Sequence, residues 1–536
     1  MRLRDLADRF RRYAADPRGL ARAWRGLRDR GIVARSPLFD RVWYLREHPD
    51  VAASGVNPAL HYLVAGHPAG LDPGPGFCGA EYAALNGLSP EANPLVHYER
   101  TGRRSCARIS FLQPVLADGR ADPAWRFPTP EEHQAGFPAK VAAIRAKAER
   151  GDKVRAVFFV ASAAMFPARP LFDAMRRDPR FDARLAVVPD LRGIAGGNPV
   201  PAMGRCRAAL AEAYPAEAFL SVARSADGAW PDVLSDFGAD LVCHPSPYEL
   251  SDFKYNPRWC VGRPVLPIYI SYSFSTSVFG YGVLGRRNYA CFWKVFVECD
   301  ETAKEYAEHS ILKGSNAETV GYFKMDGLAS AKPWPRNGDR KRVLIAPHHS
   351  VEGGANDVLA LSNFQRYADY FLSLPEKHPE LDIVFRPHPF LFDVLSRPSK
   401  WGPKRVRHWI DRMRAHPNVR WSDEGDYFPA FASCDACLHD CGSYLAEWFY
   451  TGKPCCYMLK APSDIDAKFT PLGKECLAHC FLAYDEAEIE SFLREVLLGG
   501  RDDLAASREE FRKTVMVNHP QAAEAALSVV RRALGL

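Results

Sequence analysis

Three segments of the 536-residue chain place polar residues directly after short apolar runs. The run "LDIVF" is followed by Arg386 and His388, and the run "KRVLIAP" is followed by His348 and His349. A guanidinium group binds phosphate oxygens through several N–H groups, and an imidazole donates a hydrogen bond or exchanges a proton near neutral pH. Because ligands of open α/β sheets bind beyond the carboxyl ends of the strands, these residues predict a site for phosphate groups.

The third segment, "DACLHDCGSYLAEWFYTGKPCCYM", has the pattern of a strand, a tight turn, a helix and a second strand. The predicted turn consists of five residues: His439, Asp440, Cys441, Gly442 and Ser443. The helix beginning near Tyr444 would point free backbone N–H groups at an anion, and Glu447 would lie within reach of a ribose hydroxyl pair. A helix capped by Asp440 or Ser443 explains the same turn without any ligand.

The cysteines of this segment do not predict a metal site. Cys434, Cys437 and Cys441 have the spacing C-x-x-C-x-x-x-C. In a strand, a three-residue separation turns the first two side chains to opposite faces, and no second C-x-x-C follows at the distance of a zinc site. We predict neither a metal nor an organic cofactor, and we expect the cysteines to be reduced and to pack as small apolar residues.

The elements that must position these residues alternate between short apolar strands and longer helices from Val154 onward. Two consecutive series of this kind, each about the size of one domain, predict an α/β fold with two Rossmann-like domains that face a cleft. The predicted division is a basic helical arm (1–35), two short helical repeats (36–121), a linker (122–153), a first Rossmann-like domain on the acceptor side (154–310), a second one for the nucleotide donor (311–500) and C-terminal helices (501–536).

The N-terminal repeats are visible as a pattern that recurs 36 positions later. Five residues of the first copy have identical counterparts in the second: Asn57, Pro58, His61, Tyr62 and Gly66, matched by Asn93, Pro94, His97, Tyr98 and Gly102. The repetition predicts two copies of one small helical unit. The two His-Tyr pairs are interpreted as packing elements near a helix end, since no cluster of acids accompanies them.

The net charge of +6 is unevenly distributed. Residues 1–35 contain eleven arginines and four aspartates, so the remaining chain carries −1 and does not resemble a nucleic-acid-binding body. Leu3, Leu6 and Phe10 lie on one face of the predicted arm, which therefore forms a helix at an anionic membrane surface or a solvated helix on the next domain. With no signal-peptide pattern and no long apolar run, we expect a cytoplasmic protein on the inner face of the cytoplasmic membrane.

Four segments, taken in order, resemble the CDP-glycerol glycerophosphotransferase family of teichoic-acid and capsule assembly: "VLIAPHHSVEG", "LSNFQRYADYFLSL", "IVFRPHPFL" and "ACLHDCGSYLAEWFYTGKPCCYM". The resemblance extends from Val154 to the C-terminus and is strongest from Lys341 to Leu459. The repeats resemble short units that precede bacterial polysaccharide-assembly transferases. The family resemblance implies a GT-B fold in which the second Rossmann domain holds most of the nucleotide.

The same resemblance implies roles for individual residues. Arg386 and His388 would contact the donor pyrophosphate, and Glu447 would lie near the nucleotide. The phosphate-binding turn would comprise Asp440, Gly442 and Ser443.

One departure from the family concerns the catalytic base. Family members carry a Trp-His-Gly-Thr-Pro loop in the first Rossmann domain, whereas this chain has no His-Gly pair and has "PIYISYSFSTS" in that place. The candidate replacements are His244, at the end of the run "DLVCH", and His348 or His349 reaching across the cleft.

These patterns predict a transferase that moves a polyol phosphate from a CDP-linked donor to a hydroxyl of a cell-surface polysaccharide or a lipid-linked primer. An inverting glycosyltransferase that uses a nucleotide sugar in capsule or exopolysaccharide synthesis is an alternative on the same fold. A catalytically silent binding module of the assembly machinery is a second alternative, because the family's base loop is missing.

Overall fold

The structure is a computed structural model. It describes residues 29–48, 51–52, 55–69, 71–89, 91–110, 113–190, 198–226, 228–247, 252–284, 287–336, 338–351 and 360–536. The predicted basic arm lies outside the described residues except for residues 29–35, which are helical. The chain forms two compact units. The first consists mainly of the residues before Phe137, and the second contains most of the chain from Phe137 onward.

The first unit contains the two repeats, each with two α-helices. These are α1 (Arg41–Glu47) and α2 (Pro58–His61) in the first copy, and α3 (Gly79–Leu85) and α4 (Pro94–His97) in the second. Asn57 and Asn93 cap α2 and α4 by accepting backbone N–H groups at 3.1 and 3.0 Å. Each of these two helices continues into a π-helical turn.

The conserved pattern of the repeats follows from one contact in each copy. Tyr44 Oη lies 2.9 Å from His61 Nδ1, and Tyr82 Oη lies 2.9 Å from His97 Nδ1. A Cβ atom on Gly66 would lie 2.2 Å from the Tyr44 hydroxyl oxygen, so this close approach requires glycine. The histidines of the repeats therefore position tyrosines of the core.

The second unit contains two six-stranded sheets in which every pair of neighbouring strands is parallel. The first sheet has the order β2-β1-β3-β4-β5-β6, and the second has the order β12-β11-β10-β7-β8-β9. The predicted GT-B-like pair of Rossmann-like α/β domains is thereby confirmed. Five of the twelve strands are buried along their whole length, because helices cover both faces of each sheet.

The strands of the first sheet are β1 (Val154–Val160), β2 (Phe181–Val187), β3 (Leu241–His244), β4 (Leu266–Ile270), β5 (Lys294–Val297) and β6 (Ala317–Thr319). Those of the second are β7 (Lys341–Ala346), β8 (Leu381–Phe385), β9 (Val419–Trp421), β10 (Ala436–His439), β11 (Cys455–Met458) and β12 (Phe481–Ala483).

The helices before β7 are α5 (Pro130–Ala135), α6 (Phe137–Glu149), α7 (Arg169–Arg177), α8 (Val200–Ala211), α9 (Val233–Phe237), α10 (Phe279–Leu284), α11 (Arg287–Cys291), α12 (Asp300–His309) and α13 (Phe323–Asp326). Those after β7 are α14 (Phe364–Lys377), α15 (Leu391–Leu395), α16 (Gly402–Arg414), α17 (Phe428–Ser433), α18 (Gly442–Glu447), α19 (Asp464–Lys468), α20 (Pro471–Ala478), α21 (Glu486–Ser491), α22 (Ala505–Val515) and α23 (Ala522–Leu534). Among the described residues, none of these helices has the length and apolar composition that a membrane crossing requires.

Three features of the second unit differ from the sequence predictions. The run "AFLSV" has the apolar pattern of the predicted strands, but it forms only an isolated bridge between Phe219 and Leu185. The run "ETVGYF" supplies β6, which pairs with β5 and extends the first sheet beyond the predicted boundary at residue 310. Helix α23 packs into the core of the first domain, where Arg531 Nη2 lies 2.5 Å from Asp178 Oδ2. Such long-range pairings are not encoded in the local pattern of either partner.

The loops at the carboxyl ends of the two sheets contact each other. Thr276 Oγ1 donates to the Gly442 carbonyl at 2.8 Å, and Thr470 Oγ1 donates to the Ser275 carbonyl at 2.7 Å. Residues that follow the strands of either sheet thus lie near the contact between the domains.

Candidate functional site

Three strands of the second sheet bring the predicted site residues together. The strand β7 lies between β10 and β8, and the chain runs outward on one side before it crosses to the other. This is a topological switch point, where the loops after adjacent strands separate and leave a crevice. The residues after β7, β8 and β10 all meet at this edge.

The centre of the site is a cluster of three imidazole rings, from His348, His349 and His388. The ring centroids of His348 and His349 are 4.3 Å apart, and the ring of His388 lies 5.2 and 4.1 Å from them. One ring nitrogen from each residue lies within 4.8 Å of the others, which makes this the one potential metal-binding group found among the described residues. All three side chains are half-buried and remain partly open to solvent.

Hydrogen bonds assign the tautomers of two of these rings. The backbone N–H of Phe390 donates to His388 Nδ1 at 3.2 Å, which leaves the ring proton on Nε2. His348 Nδ1 lies 2.6 Å from Ser350 Oγ, and that hydroxyl already accepts the Leu361 N–H at 3.2 Å. We therefore assign the Ser350 hydroxyl as the donor to His348, so its Nε2 also carries the proton.

These tautomers decide what the cluster binds best. A metal ion needs a lone pair on the ligating nitrogen, and a neutral ring that accepts at Nδ1 offers an N–H at Nε2 instead. Two Nε2–H groups beside one another are donors for the oxygens of an anion. The arrangement of His348 and His388 therefore favours a phosphate group over a metal ion.

The cluster is uncharged at neutral pH. Burial, together with a smaller contribution from neighbouring imidazole rings, lowers the pKa of His348 to about 2 and that of His388 to about 3. Burial also lowers the pKa of His349. A bound phosphate would raise these values, because a nearby negative charge favours the imidazolium form. The neutral rings serve a bound phosphate as hydrogen-bond donors.

Asp440 is a positioning residue at the base of the site. Its Oδ1 accepts the His348 backbone N–H at 2.6 Å, and its Oδ2 accepts the Asn363 backbone N–H at 2.5 Å. The side chain is fully buried, and this burial raises its pKa to about 6. The carboxylate thus joins the loops after β7 and β10, and it does not face the crevice as the phosphate-binding turn had implied.

Arg386, directly after β8, forms hydrogen bonds with three residues from neighbouring segments of the site. Its Nε donates to the Tyr444 hydroxyl at 3.2 Å, its Nη1 to Ser422 Oγ at 2.8 Å and its Nη2 to the Glu424 carbonyl at 2.6 Å. Three of its five N–H donors are therefore engaged by the protein. The guanidinium fixes the ends of β8, β9 and α18 relative to one another.

The remaining residues of the predicted turn separate into exposed and buried groups. Gly442 and Ser443 are partly exposed, whereas Cys441 is buried, with its Sγ 3.4 Å from Ser443 Oγ. Glu447 is completely buried and accepts from the Tyr427 hydroxyl at 2.6 Å. Its other oxygen accepts from the Tyr322 hydroxyl at 3.1 Å. Tyr322 follows the last strand of the first sheet, so this hydrogen bond links the two domains.

His244 does not join the three-ring cluster. It ends β3, its side chain is 2% exposed, and its ring packs against Phe159 and Phe292 at 5.2 and 5.6 Å. Burial lowers its pKa to about 3. A ring enclosed in the core of the first domain has no access to an acceptor hydroxyl, which leaves the base to be sought among the histidines after β7.

Two buried acids at the carboxyl edge of the first sheet were missed by the sequence analysis. Glu298 directly follows β5, and Glu305 lies on α12 with one oxygen accepting from Ser275 Oγ at 2.7 Å. Burial raises the pKa of each to about 7, although the hydroxyls near them lower it. The position of Glu298 after the run "FWKVFV" was the available signal, and only the structure shows that the residue is buried.

Replacement of Glu298 by glutamine is expected to alter the pH dependence of stability. The pKa of Glu298 in the folded protein, about 7, exceeds the ordinary value of 4.5. The folded state therefore keeps a proton that the unfolded state loses, and stability falls as the pH rises from about 4.5 to about 7, by roughly 1.4 kcal/mol per unit at most. Glu298→Gln should match the wild type in Tm at pH 5 and exceed it by roughly 2 to 4 °C at pH 8.

The matched control is Glu301→Gln, three residues further along the chain at a more exposed position on α12. Its Tm should differ from the wild-type value by a similar amount at both pH values. If the Tm of the wild type and that of Glu298→Gln changed with pH in parallel, the prediction of a buried, protonated carboxyl at Glu298 would be wrong.

Comparisons with known proteins give no family assignment. No protein-family model matches the chain, and no curated protein matches it. Solved structures are similar at low identity. A variant of the wall teichoic acid polymerase TagF matches with 10% identity and a TM-score of 0.47, over 75% of this chain and 96% of that one. UDP-GlcNAc 2-epimerase from Neisseria meningitidis, bound to UDP-GlcNAc, matches with 16% identity and a TM-score of 0.44, over 71% of this chain and 100% of that one.

A third structure, UDP-GlcNAc 2-epimerase from Methanocaldococcus jannaschii, has 11% identity and a TM-score of 0.43, over 70% of this chain and 99% of that one. Likeness at this level says nothing about the substrate of this chain.

Proposed function

We propose that this chain is a transferase that moves a polyol phosphate, such as glycerol phosphate, from a CDP-linked donor to a hydroxyl of a cell-surface polysaccharide or a lipid-linked primer. The observation that carries the proposal is the cluster of His348, His349 and His388 at the switch point of the second sheet. Neutral N–H donors at the edge of a crevice suit the pyrophosphate of such a donor. The resemblance of the same segments to CDP-glycerol glycerophosphotransferases supports the choice of donor.

In the proposed reaction the acceptor oxygen attacks the phosphorus distal to the cytidine. A new P–O bond forms, the bond to the bridging oxygen breaks, and CMP leaves with that oxygen. The Nε2–H groups of His348 and His388 donate hydrogen bonds that stabilise the charge on the phosphates and on the departing CMP. The step needs no charged side chain in the cluster beforehand, because CMP leaves as a phosphate anion that accepts these hydrogen bonds and requires no proton.

The proton of the acceptor hydroxyl goes to His349. Its Nδ1 is buried and has no hydrogen-bond partner in the described part of the chain, so no contact fixes the tautomer of this ring. His349 is therefore the member of the cluster that can present a lone pair toward an attacking hydroxyl. Asp440 positions the neighbouring backbone through the His348 N–H.

A panel of donors tests the proposal. The purified chain is incubated with CDP-glycerol, CDP-ribitol, UDP-GlcNAc and GDP-mannose in the presence of a glycerol phosphate oligomer, and the released nucleotide is identified by mass spectrometry. Release of CMP from a CDP-polyol, with transfer of the polyol phosphate to the oligomer, is the expected result. Release of UDP or GDP with sugar transfer would replace the proposal by the glycosyltransferase alternative.

The binding-module alternative makes a separate prediction in cells. It requires that no donor is consumed and that His388→Ala leaves polymer formation unchanged. If the chain is the proposed enzyme, a donor is consumed and His388→Ala reduces polymer formation.

The proposed location is the inner face of the cytoplasmic membrane, with residues 1–35 as the attachment. The arginines of this segment and its predicted apolar face support the assignment. Removal of residues 1–35 should abolish sedimentation with vesicles containing anionic lipid while CMP release continues. Unchanged sedimentation would contradict the assignment.

A further inference from the structure

A second cluster of positively charged residues lies far along the sequence from the N-terminal arm. Residues 391–421 contain eight lysines and arginines and only two aspartates, although the chain outside residues 1–35 has a net charge of −1. The rest of the body is therefore distinctly acidic. A cationic region on an acidic body concentrates an anionic partner at one place.

Helix α16, Gly402–Arg414, presents this charge to solvent. Its 13 residues bury one side, formed by Val406, Trp409 and Met413. The opposite side carries four exposed cations with a single acid among them: Lys404, Arg405, Arg407 and Arg412, with Asp411. We call this surface the α16 basic face.

The cations of the α16 basic face have no carboxylate partner in the described ranges. The ion pairs found there include none with Lys404, Arg407 or Arg412. By contrast, Arg414, the last residue of α16, pairs with Asp423 at 3.2 Å, and beyond the helix Arg420 pairs with Glu424 at 3.1 Å. The charge of the face is thus available to a ligand.

The connectivity of the sheet places the N-terminal end of α16 on the side of the sheet that holds the histidine cluster. Helix α16 forms the crossover between β8 and β9, so the chain enters it from the carboxyl end of β8, where His388 lies. Lys400 stands between α15 and α16 on the same route. From there the 13 residues of the helix extend for about 20 Å. An extended chain whose end reaches the cluster could follow the helix over several repeating units.

We propose that the α16 basic face binds a linear polyanion with regularly spaced phosphodiesters, namely the growing acceptor chain. This inference rests on the proposed function, since it assigns the acceptor of that reaction to a charged polymer. The face contributes cations that the histidine cluster lacks, because those rings are neutral and Arg386 is engaged by Tyr444, Ser422 and Glu424.

The composition of the face favours a phosphodiester chain over a membrane. Helices that lie in a membrane interface insert apolar side chains between the lipids. The large apolar residues of α16 face the core, and the large exposed apolar side chains found in the described structure include none from this helix.

The same surface is poorly suited to single-stranded nucleic acid. Bases stack on open aromatic faces. Here, however, the Arg405 guanidinium covers Trp401 at 4.3 Å and Arg414 covers Trp421 at 4.6 Å. A positively charged surface without exposed aromatic rings suits a phosphodiester chain that carries no bases.

The test measures binding of a fluorescent glycerol phosphate octamer to the full-length chain in the absence of donor. The test variant carries Lys404→Glu, Arg407→Glu and Arg412→Glu, and it leaves Arg405 on Trp401. We expect the Kd of the octamer to rise at least tenfold, and we expect wild-type binding to weaken as salt is added. CMP release with a single glycerol phosphate unit as acceptor should stay within twofold of the wild type.

The matched control carries the same change of charge at three other exposed positions: Lys153→Glu, Arg205→Glu and Lys332→Glu. Its Kd should stay within twofold of the wild-type value, and all variants should melt within a few degrees of the wild type. Equal weakening in the control would overturn the proposal, because the effect would then be one of net charge. Tighter binding of an anionic vesicle or an oligonucleotide, lost in the test variant, would also overturn it.

This experiment is separable from the test of the proposed function. Loss of octamer binding in the test variant alone supports the α16 basic face even if no donor is turned over. If the wild-type chain turns over a CDP-polyol but binds no octamer, the proposed function stands and the proposal of a polyanion site on the α16 basic face is wrong.

Discussion

His388→Ala is expected to lower kcat for CMP release from a CDP-polyol by about 10²- to 10³-fold, the usual contribution of one hydrogen-bond donor to charge that develops in the transition state. The ring carries its proton on Nε2, because Nδ1 accepts the Phe390 N–H, and it lies 4.1 Å from the ring of His349. Loss of the ring removes a hydrogen-bond donor to the charge that develops on the leaving phosphate. Initial rates at saturating donor measure the effect.

Two further variants separate the roles of this residue. His388→Gln keeps an N–H donor near the site and should restore KM for the donor more than it restores kcat. His416→Ala changes another histidine that precedes a proline, in a turn between α16 and β9, and should leave both constants unchanged. A His388→Ala protein with kcat within threefold of the wild type would remove the histidine from the mechanism.

The second large effect is expected for Asp440→Ala, which should lower the free energy of unfolding by about 3 kcal/mol. The substitution leaves the backbone N–H groups of His348 and Asn363 buried without an acceptor. Because the first of these groups belongs to the histidine cluster, CMP release should fall together with stability. Urea unfolding followed by tryptophan fluorescence measures the loss.

Asp440→Asn retains one acceptor oxygen and should lose less stability than Asp440→Ala. The control is Asp369→Ala, at an exposed position on α14, which should change the free energy of unfolding by no more than about 0.5 kcal/mol. If Asp440→Ala were as stable as this control, the two hydrogen bonds would not hold the loops after β7 and β10 together.

The two effects are linked by the way in which the site is built. The histidines lie on loops that follow β7 and β8, and a loop keeps its conformation only where its backbone groups are bonded. Asp440 and Arg386 supply those bonds from the neighbouring strands. Asp440 and Arg386 are therefore expected to affect activity and stability without contacting a substrate.

Much of the fold could be predicted from the sequence because its signals are local. Apolar runs such as "KRVLIAP" and "LDIVF" indicate strands wherever they pack, and the two repeats are recognised by residues that recur at a fixed distance. For the same reason His348, His349 and His388 could be identified as residues that follow strands. Strand β6 was assigned to the wrong sheet, since a three-residue strand carries no information about its partner.

The direction in which each side chain points was decided by tertiary structure alone. Arg386, Asp440 and Glu447 have the residue types of a ligand site, yet each is held by partners at least 20 positions away along the chain. Whether a polar group faces a crevice or the core depends on what packs beside it, and that follows from the strand order.

The sequence by itself therefore determined two Rossmann-like domains, the repeats before them and the strand ends at which a site would form. The tertiary structure decided that three neutral histidines meet there, that Asp440 and Arg386 brace them, and that the positive charge lies beyond the site on α16. The physical reason is that burial and hydrogen-bond partners are properties of neighbours in space. In this chain those neighbours come from strands that are adjacent in the sheet and distant in sequence.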